Sequence, residues 1–199
     1  MVRDESTHNQ VRSGPAVVAA SESDERLAAR AATDPAAFAE LYERYVARID
    51  QYCRWRLRDR DLAQDATSQI FLKALEGLRR QRIDNVASWL FTIAHNEVVD
   101  RYRRQQPTTT FDSYREVASS GQSVEELGIL ASSSADLHRL LPLLSPDQRH
   151  VIELRLSGLT SSEIQEVLGR GKSWVATTHH RALRRLRDLL DPVREEVRP

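Results

Sequence analysis

SWLFTIAHNEVVDRYRR, residues 88–104, decides the fold class. Trp89, Leu90, Ile93, Ala94 and Val98 recur at spacings of three and four, so the stretch is a helix with one side turned inward. It is expected to run from about Val86 to Arg104, with Pro107 barring its continuation. Its end carries Arg101, Arg103 and Arg104, three cations within four residues.

Working backward, Asp34-Pro35 reads as an N-cap followed by proline in a first helical turn. Phe38, Leu41, Tyr42, Tyr45, Ile49 and Tyr52 then form one apolar stripe on a long helix, with Cys53 beside it as a small core residue. A further helix follows Asp59-Arg60-Asp61, buries Leu62, Ala63, Ala66, Ile70, Ala74 and also Phe71, and stops near Gly77. Trp89 reads as core, and Trp55 as a packing or protein-contact residue. Residues 1–23 are polar and aperiodic, and read as a flexible tail.

Working forward, residues 106–133 are rich in Ser and Thr and read as a flexible, acidic linker with one short helix near Val124–Leu130. Leu137, Leu140, Leu141 and Leu144 begin a second apolar block, and Ser145-Pro146 starts a helix carrying Val151, Ile152, Leu154 and Leu156. Thr160 and Glu163 form a capping box for a short helix that closes at Leu168-Gly169. The last helix is expected from Lys172 to Leu190, ending before Pro192, with a tail over 192–199. A short capped helix, a glycine turn and a longer basic helix have the proportions of a helix-turn-helix. Ile164, Val167, Leu168 and Val175 would form its core. The fold class is therefore all-α: two small helical domains, 24–105 and 134–191, joined by a linker, the second a helix-turn-helix.

Charge agrees with a polyanion as partner, although 29 basic and 29 acidic residues cancel. Basic residues concentrate at 54–60, 79–82, 101–104 and 181–187, and local fields rather than the sum attract nucleic acid. No apolar run approaches the ~20 residues that span a bilayer, and no signal-peptide stretch opens the chain, so it reads as cytoplasmic, without membrane insertion. One cysteine excludes an internal disulfide. His179 and His180 point about 100° apart on a helix, and His95, His138 and His150 are isolated, so no metal site is expected. No phosphate loop or nucleophile–base arrangement is visible, so neither an enzyme nor a cofactor is expected.

Beyond geometry, LLPLLSPDQRHVIELRLSGLTSSEIQEVLGRGKSWVATTHHRALRRLRDLL resembles the −35-recognition domain of extracytoplasmic-function sigma factors, in Leu144, Arg149, Leu154-Arg155, Gly158-Leu159, Glu163-Ile164, Leu168-Gly169, Val175, Arg181-Ala182 and Leu186-Arg187. DPAAFAELYERYVARIDQYCRWRLRDRDLAQDATSQIFLKAL with SWLFTIAHNEVVDRYRR resembles the −10-binding and polymerase-clamp domain of that family, through Ala63, Asp65, Phe71, Trp89-Leu90, Ile93-Ala94, Asn96, Asp100 and Arg103-Arg104. The resemblance implies a subunit that binds core RNA polymerase through the β′ clamp and β flap and directs it to promoter DNA. An anti-sigma protein is implied as a further partner.

It implies clamp contacts at Asp61, Gln64, Asp65, Ser68 and Gln69. It implies −10 contacts at Asp84, Asn85, Asn96, Arg101, Arg103 and Arg104, where an amide reads a base edge and arginines hold phosphates. It implies −35 contacts at Arg155, Lys172, Ser173, Trp174, Thr177, Thr178, His180 and Arg181. The chain departs from the family at Gln64, Ser68 and Gln165 and over Ala176–His179, which leaves the −35 preference open. A DNA-binding regulator that never joins polymerase, and a sigma-like protein that has lost promoter recognition, are the alternative readings.

Overall fold

A computed structural model describes residues 22–105, 137 and 139–195. Among these, four α-helices precede the linker and three follow it. The N-terminal tail over 1–21, the linker with its expected short helix, His138 and the last four residues lie outside the described residues.

Helix α1 (Asp24–Ala31) was not expected, because its eight residues fall where the tail gives way to the first domain. Its start is nonetheless conventional: the Ser23 side chain accepts from the Arg26 N–H, and Asp24 and Glu25 occupy the first turn. Leu27, Ala28 and Ala31 are buried. Asp24 also holds Arg44 at 2.6 Å, tying α1 to the next helix.

Helix α2 (Pro35–Leu57) begins at the expected cap, with Asp34 accepting from Ala36 N–H at 2.9 Å. It buries Leu41, Tyr45, Ile49, Tyr52 and Cys53. Tyr42 departs from the expected stripe: it is 41% exposed and lies with its ring 4.6 Å from Phe71, covering that buried side chain from outside. Arg58 closes the helix in the left-handed region at φ 56°, a conformation favoured in glycine.

Helix α3 (Arg60–Leu78) is capped by Asp59 and buries Ala63, Ala66, Thr67, Ile70, Phe71, Ala74 and Leu78. Leu62 is only half-buried. Gly77 sits against the indole of Trp89, and a Cβ there would meet the Trp89 ring at 2.7 Å, so the close approach requires glycine. Helix α4 (Val86–Gln105) follows, with Leu90, Phe91, Ala94 and Val98 fully buried. Trp89 and Ile93 are partly buried against the same core.

After a single 3-10 turn (Leu141–Leu143), helix α5 (Pro146–Leu156) starts in a Ser145–Gln148 capping box, and α6 (Ser161–Leu168) in the expected Thr160–Glu163 box. Gly158 (φ +84°) and Gly169 (φ +61°) make the turns on either side of α6. Helix α7 (Lys172–Glu195) passes through Pro192 instead of stopping before it. At that position proline removes one backbone hydrogen bond close to the helix end, a smaller loss than in mid-helix.

The helices before and after the linker share one core. Val151, Leu154, Leu159, Ile164, Val167 and Val175 belong to the same buried cluster as Ile49, Phe91 and Ala94. Conversely, Trp55 of α2 leaves its own domain and joins Leu141, Leu144, Ile152, Ala182, Leu183 and Leu186. Fully burying a side chain of this size stabilises by roughly 1.5–3 kcal/mol, so the two halves hold each other by ordinary core packing.

Candidate functional site

Three surfaces carry the residues singled out from the sequence. On α3, Asp61, Gln64, Asp65, Ser68 and Gln69 are all exposed. Their spacing of three and four puts them on one face, opposite the buried Ala63, Ala66 and Ile70. The Ser68 hydroxyl bonds back to the Gln64 carbonyl at 3.1 Å. Leu72 continues this face at 55% exposure and escaped sequence reading. An apolar residue three and four positions after Gln69 and Ser68 was the available signal. Phe71, matched to the same segment by resemblance, is 5% exposed, buried as its place in the apolar pattern led one to expect.

On and before α4, the residues divide. Asn96, Arg103 and Arg104 are exposed, and Asn96 and Arg103, seven apart, share a face. Asn85 is committed to the helix start: its Oδ1 accepts from Ser88 N–H at 3.0 Å and its carbonyl from Trp89 N–H at 3.1 Å. Asp84 is exposed beside Arg82 at 3.5 Å. Arg101 folds back to Glu97 at 2.7 Å, and Lys73 of α3 reaches the same carboxylate at 2.6 Å. Burial would raise the Glu97 carboxyl, but its bonds to Lys73 and Arg101 outweigh that and hold it below the usual range. Arg101 is thus paired within its own helix, and Lys73 makes the link between α3 and α4.

In the helix-turn-helix, Lys172, Ser173 and Arg181 are exposed around the start and outer face of α7. Arg170 was not singled out, yet it stands at this entrance with its guanidinium 5.1 Å from the half-buried Trp174 ring. His180 is half-buried. Thr177 and Thr178 correct the expectation: they are 3% and 8% exposed, so neither reaches a duplex in this arrangement. Arg155 is likewise structural, donating to the Leu159 carbonyl at 2.9 Å and to Ser161 Oγ at 2.5 Å, which fixes the turn into α6.

The centre of the molecule holds groups that sequence reading left apart. Glu153 of α5 is fully buried and accepts from Arg149 Nε at 2.5 Å and Arg56 Nη1 at 3.3 Å. Arg149 also donates to the Trp55 carbonyl, and Tyr102 to that of Arg56. Arg48 Nε reaches the Ser157 carbonyl at 2.7 Å. His95 and His150, read as isolated, meet edge to face at 5.5 Å. The described residues contain no cluster of three or more potential metal ligands and no helix long and apolar enough to cross a membrane.

A four-helix unit with an open polar face, followed by a helix-turn-helix with a basic entrance, places the chain in the class of all-α proteins that carry a helix-turn-helix. Comparison with known proteins narrows that class. The family model "Sigma-70 region 2" matches residues 41–108, and "Sigma-70, region 4" matches residues 134–186. The ECF RNA polymerase sigma factor SigK of Mycobacterium tuberculosis is 30% identical, over 86% of this chain and 95% of its own. The ECF sigma factor BldN of Streptomyces coelicolor is 32% identical over 77% of this chain, a match spanning 60% of the longer relative. Among solved structures, CnrH in complex with the cytosolic domain of CnrY superposes with a TM-score of 0.65 at 26% identity, covering 86% of this chain and 99% of CnrH. The sigma factor RpoE of Bartonella quintana, in complex with the anti-sigma factor NepR, shares the fold at a TM-score of 0.59 and 21% identity, covering 77% of this chain and 96% of RpoE. The chain belongs to the extracytoplasmic-function sigma factors of the sigma-70 superfamily, which are non-enzymatic initiation factors.

Proposed function

We propose that the protein binds core RNA polymerase through the α3 face and directs it to promoters by reading a −35 duplex with α7 and a melted −10 strand with α4. The observation that carries this reading is the open face of α3, where Asp61, Gln64, Asp65, Ser68 and Gln69 stand exposed beside Leu72. Asn96 and Arg103 supply a base-edge amide and a phosphate contact on one side of α4. Lys172, Ser173, Arg181 and Arg170 form the −35 surface, at a helix N-terminus that favours phosphate. Residues 24–105 and 134–191 act as the two promoter-binding domains, joined by the linker, and work in the cytoplasm with polymerase. An anti-sigma protein is a fitting partner, since the structural relatives CnrH and RpoE are each seen bound to a second protein.

Co-purification with core polymerase and promoter-dependent run-off transcription test the reading. Asp65→Ala is expected to weaken core binding at least tenfold, about 1.4 kcal/mol, while leaving thermal stability within about 0.5 kcal/mol, as for a surface change. Failure of the unaltered chain to bind core polymerase would overturn it.

A further inference from the structure

We propose that the two domains are held together by an acid-labile latch, in which His95 of α4 and His150 of α5 must both be neutral for the interface to close. The inference rests on what surrounds the pair. The rings meet edge to face across the domain boundary, with centroids 5.5 Å apart. From α2, Tyr52 brings its hydroxyl to 3.4 Å from His95 Nδ1, and Arg56 stands close enough to act on both rings. From α5 come Arg149 and Glu153. The Glu153 carboxylate is already shared between Arg56 and Arg149. One buried anion therefore faces two cations, and its charge is already committed before a third arrives. A proton on either imidazole would put a further positive charge among Arg56, Arg149 and the other ring.

Burial first, and Arg56 second, push His95 down to about 4, and burial with Arg56, His95 and Arg149 pushes His150 lower still. Once the domains part, each ring regains water and a pKa of about 6.5. Closed, the pair binds fewer protons than open. Closure is therefore at full strength above about pH 6.5 and is lost as pH falls from there toward about 4. Between pH 7.5 and 5.5 each histidine shifts the open-to-closed ratio about tenfold, and the pair about 100-fold.

The latch concerns the isolated chain, so its test needs neither polymerase nor promoter and stands apart from the reading above. Dyes placed on cysteines at the exposed positions Glu76 on α3 and Arg184 on α7 report domain separation by energy transfer. Cys53 is buried and stays unlabelled in the folded chain. Transfer is expected to fall between pH 7.5 and 5.5 while far-ultraviolet circular dichroism stays constant. The H95Q/H150Q variant is expected to lose the response, and H150Q alone to keep about tenfold of it. H95F/H150F preserves the ring contact and decides the matter if the glutamine pair opens the interface at every pH. An undiminished pH response in whichever double variant stays closed would overturn the latch. So would a flat response in the unaltered chain, or helix loss in step with the fall in transfer.

Discussion

Glu153 shows how much one side chain can determine. It is a carboxylate with no exposed surface, held by Arg149 from its own helix and by Arg56 from α2. Neutralising it strands two guanidinium groups in or near the core, and loss of one partner of such a pair costs about 3–5 kcal/mol. Glu153→Gln is therefore expected to lower the denaturant midpoint by the equivalent of about 3 kcal/mol. The triple change Arg56→Met/Arg149→Met/Glu153→Leu should recover most of it, because apolar replacement of all three members removes the desolvation cost as well. On the helical wheel Val151, Ile152, Leu154 and Leu156 leave one polar sector, and Glu153 shares it with Arg149 and His150, so the local pattern reads as a solvent-facing side and hides the burial. Nor could any local pattern reveal the partner, since Arg56 lies 97 residues away.

At the scale of the element, most starts and stops were legible because they obey local stereochemistry. Asp34, Ser145 and Thr160 cap where their side chains can accept a free N–H, and Gly169 turns where φ must be positive. The two glycines flanking α6 predict different costs for the same substitution. A Cβ added at Gly169 would meet open space, so Gly169→Ala should cost only the left-handed conformation, about 1 kcal/mol. At Gly158 the added carbon would also meet Arg48 Nη2 at 3.2 Å, pressing on the bond that Arg48 makes to Ser157. Gly158→Ala should therefore destabilise more than Gly169→Ala, and thermal melts of the two variants compare them directly. Helix α1 escaped sequence reading because two short turns give too few apolar positions to establish a period. Thr177 and Thr178 were misplaced for the opposite reason: α7 was read by its outward face, whereas both residues are covered. The exposed polar face of α3 was legible as a motif, whereas Leu72 at its end escaped, because a lone apolar residue beside the buried Phe71 reads as part of the same inward stripe.

For the whole molecule, the shared core sets a geometric conflict with the proposed task. Elements at −35 and −10 are about 25 base pairs apart, roughly 85 Å of duplex. A compact body of roughly 140 residues has a radius of gyration near 14 Å and is about 40 Å across. The closed form is too short to touch both, so binding to polymerase must separate the domains. Energy transfer between the dyes on α3 and α7 is expected to drop when core polymerase is added at pH 7.5, where the histidine pair favours closure. Unchanged transfer in a complex that supports run-off transcription would contradict that separation. Opening also has an optical signature built into the chain. Trp55 is rooted in α2 but buried among Leu141, Leu144, Ile152 and Leu186 of the other half, whereas Trp89 and Trp174 each sit within their own. When the halves part, the Trp55 indole passes from hydrocarbon to water and its emission moves to the red. The same step leaves an empty socket in the second half, lined by leucine and isoleucine, and so makes the open form the stickier one in solution.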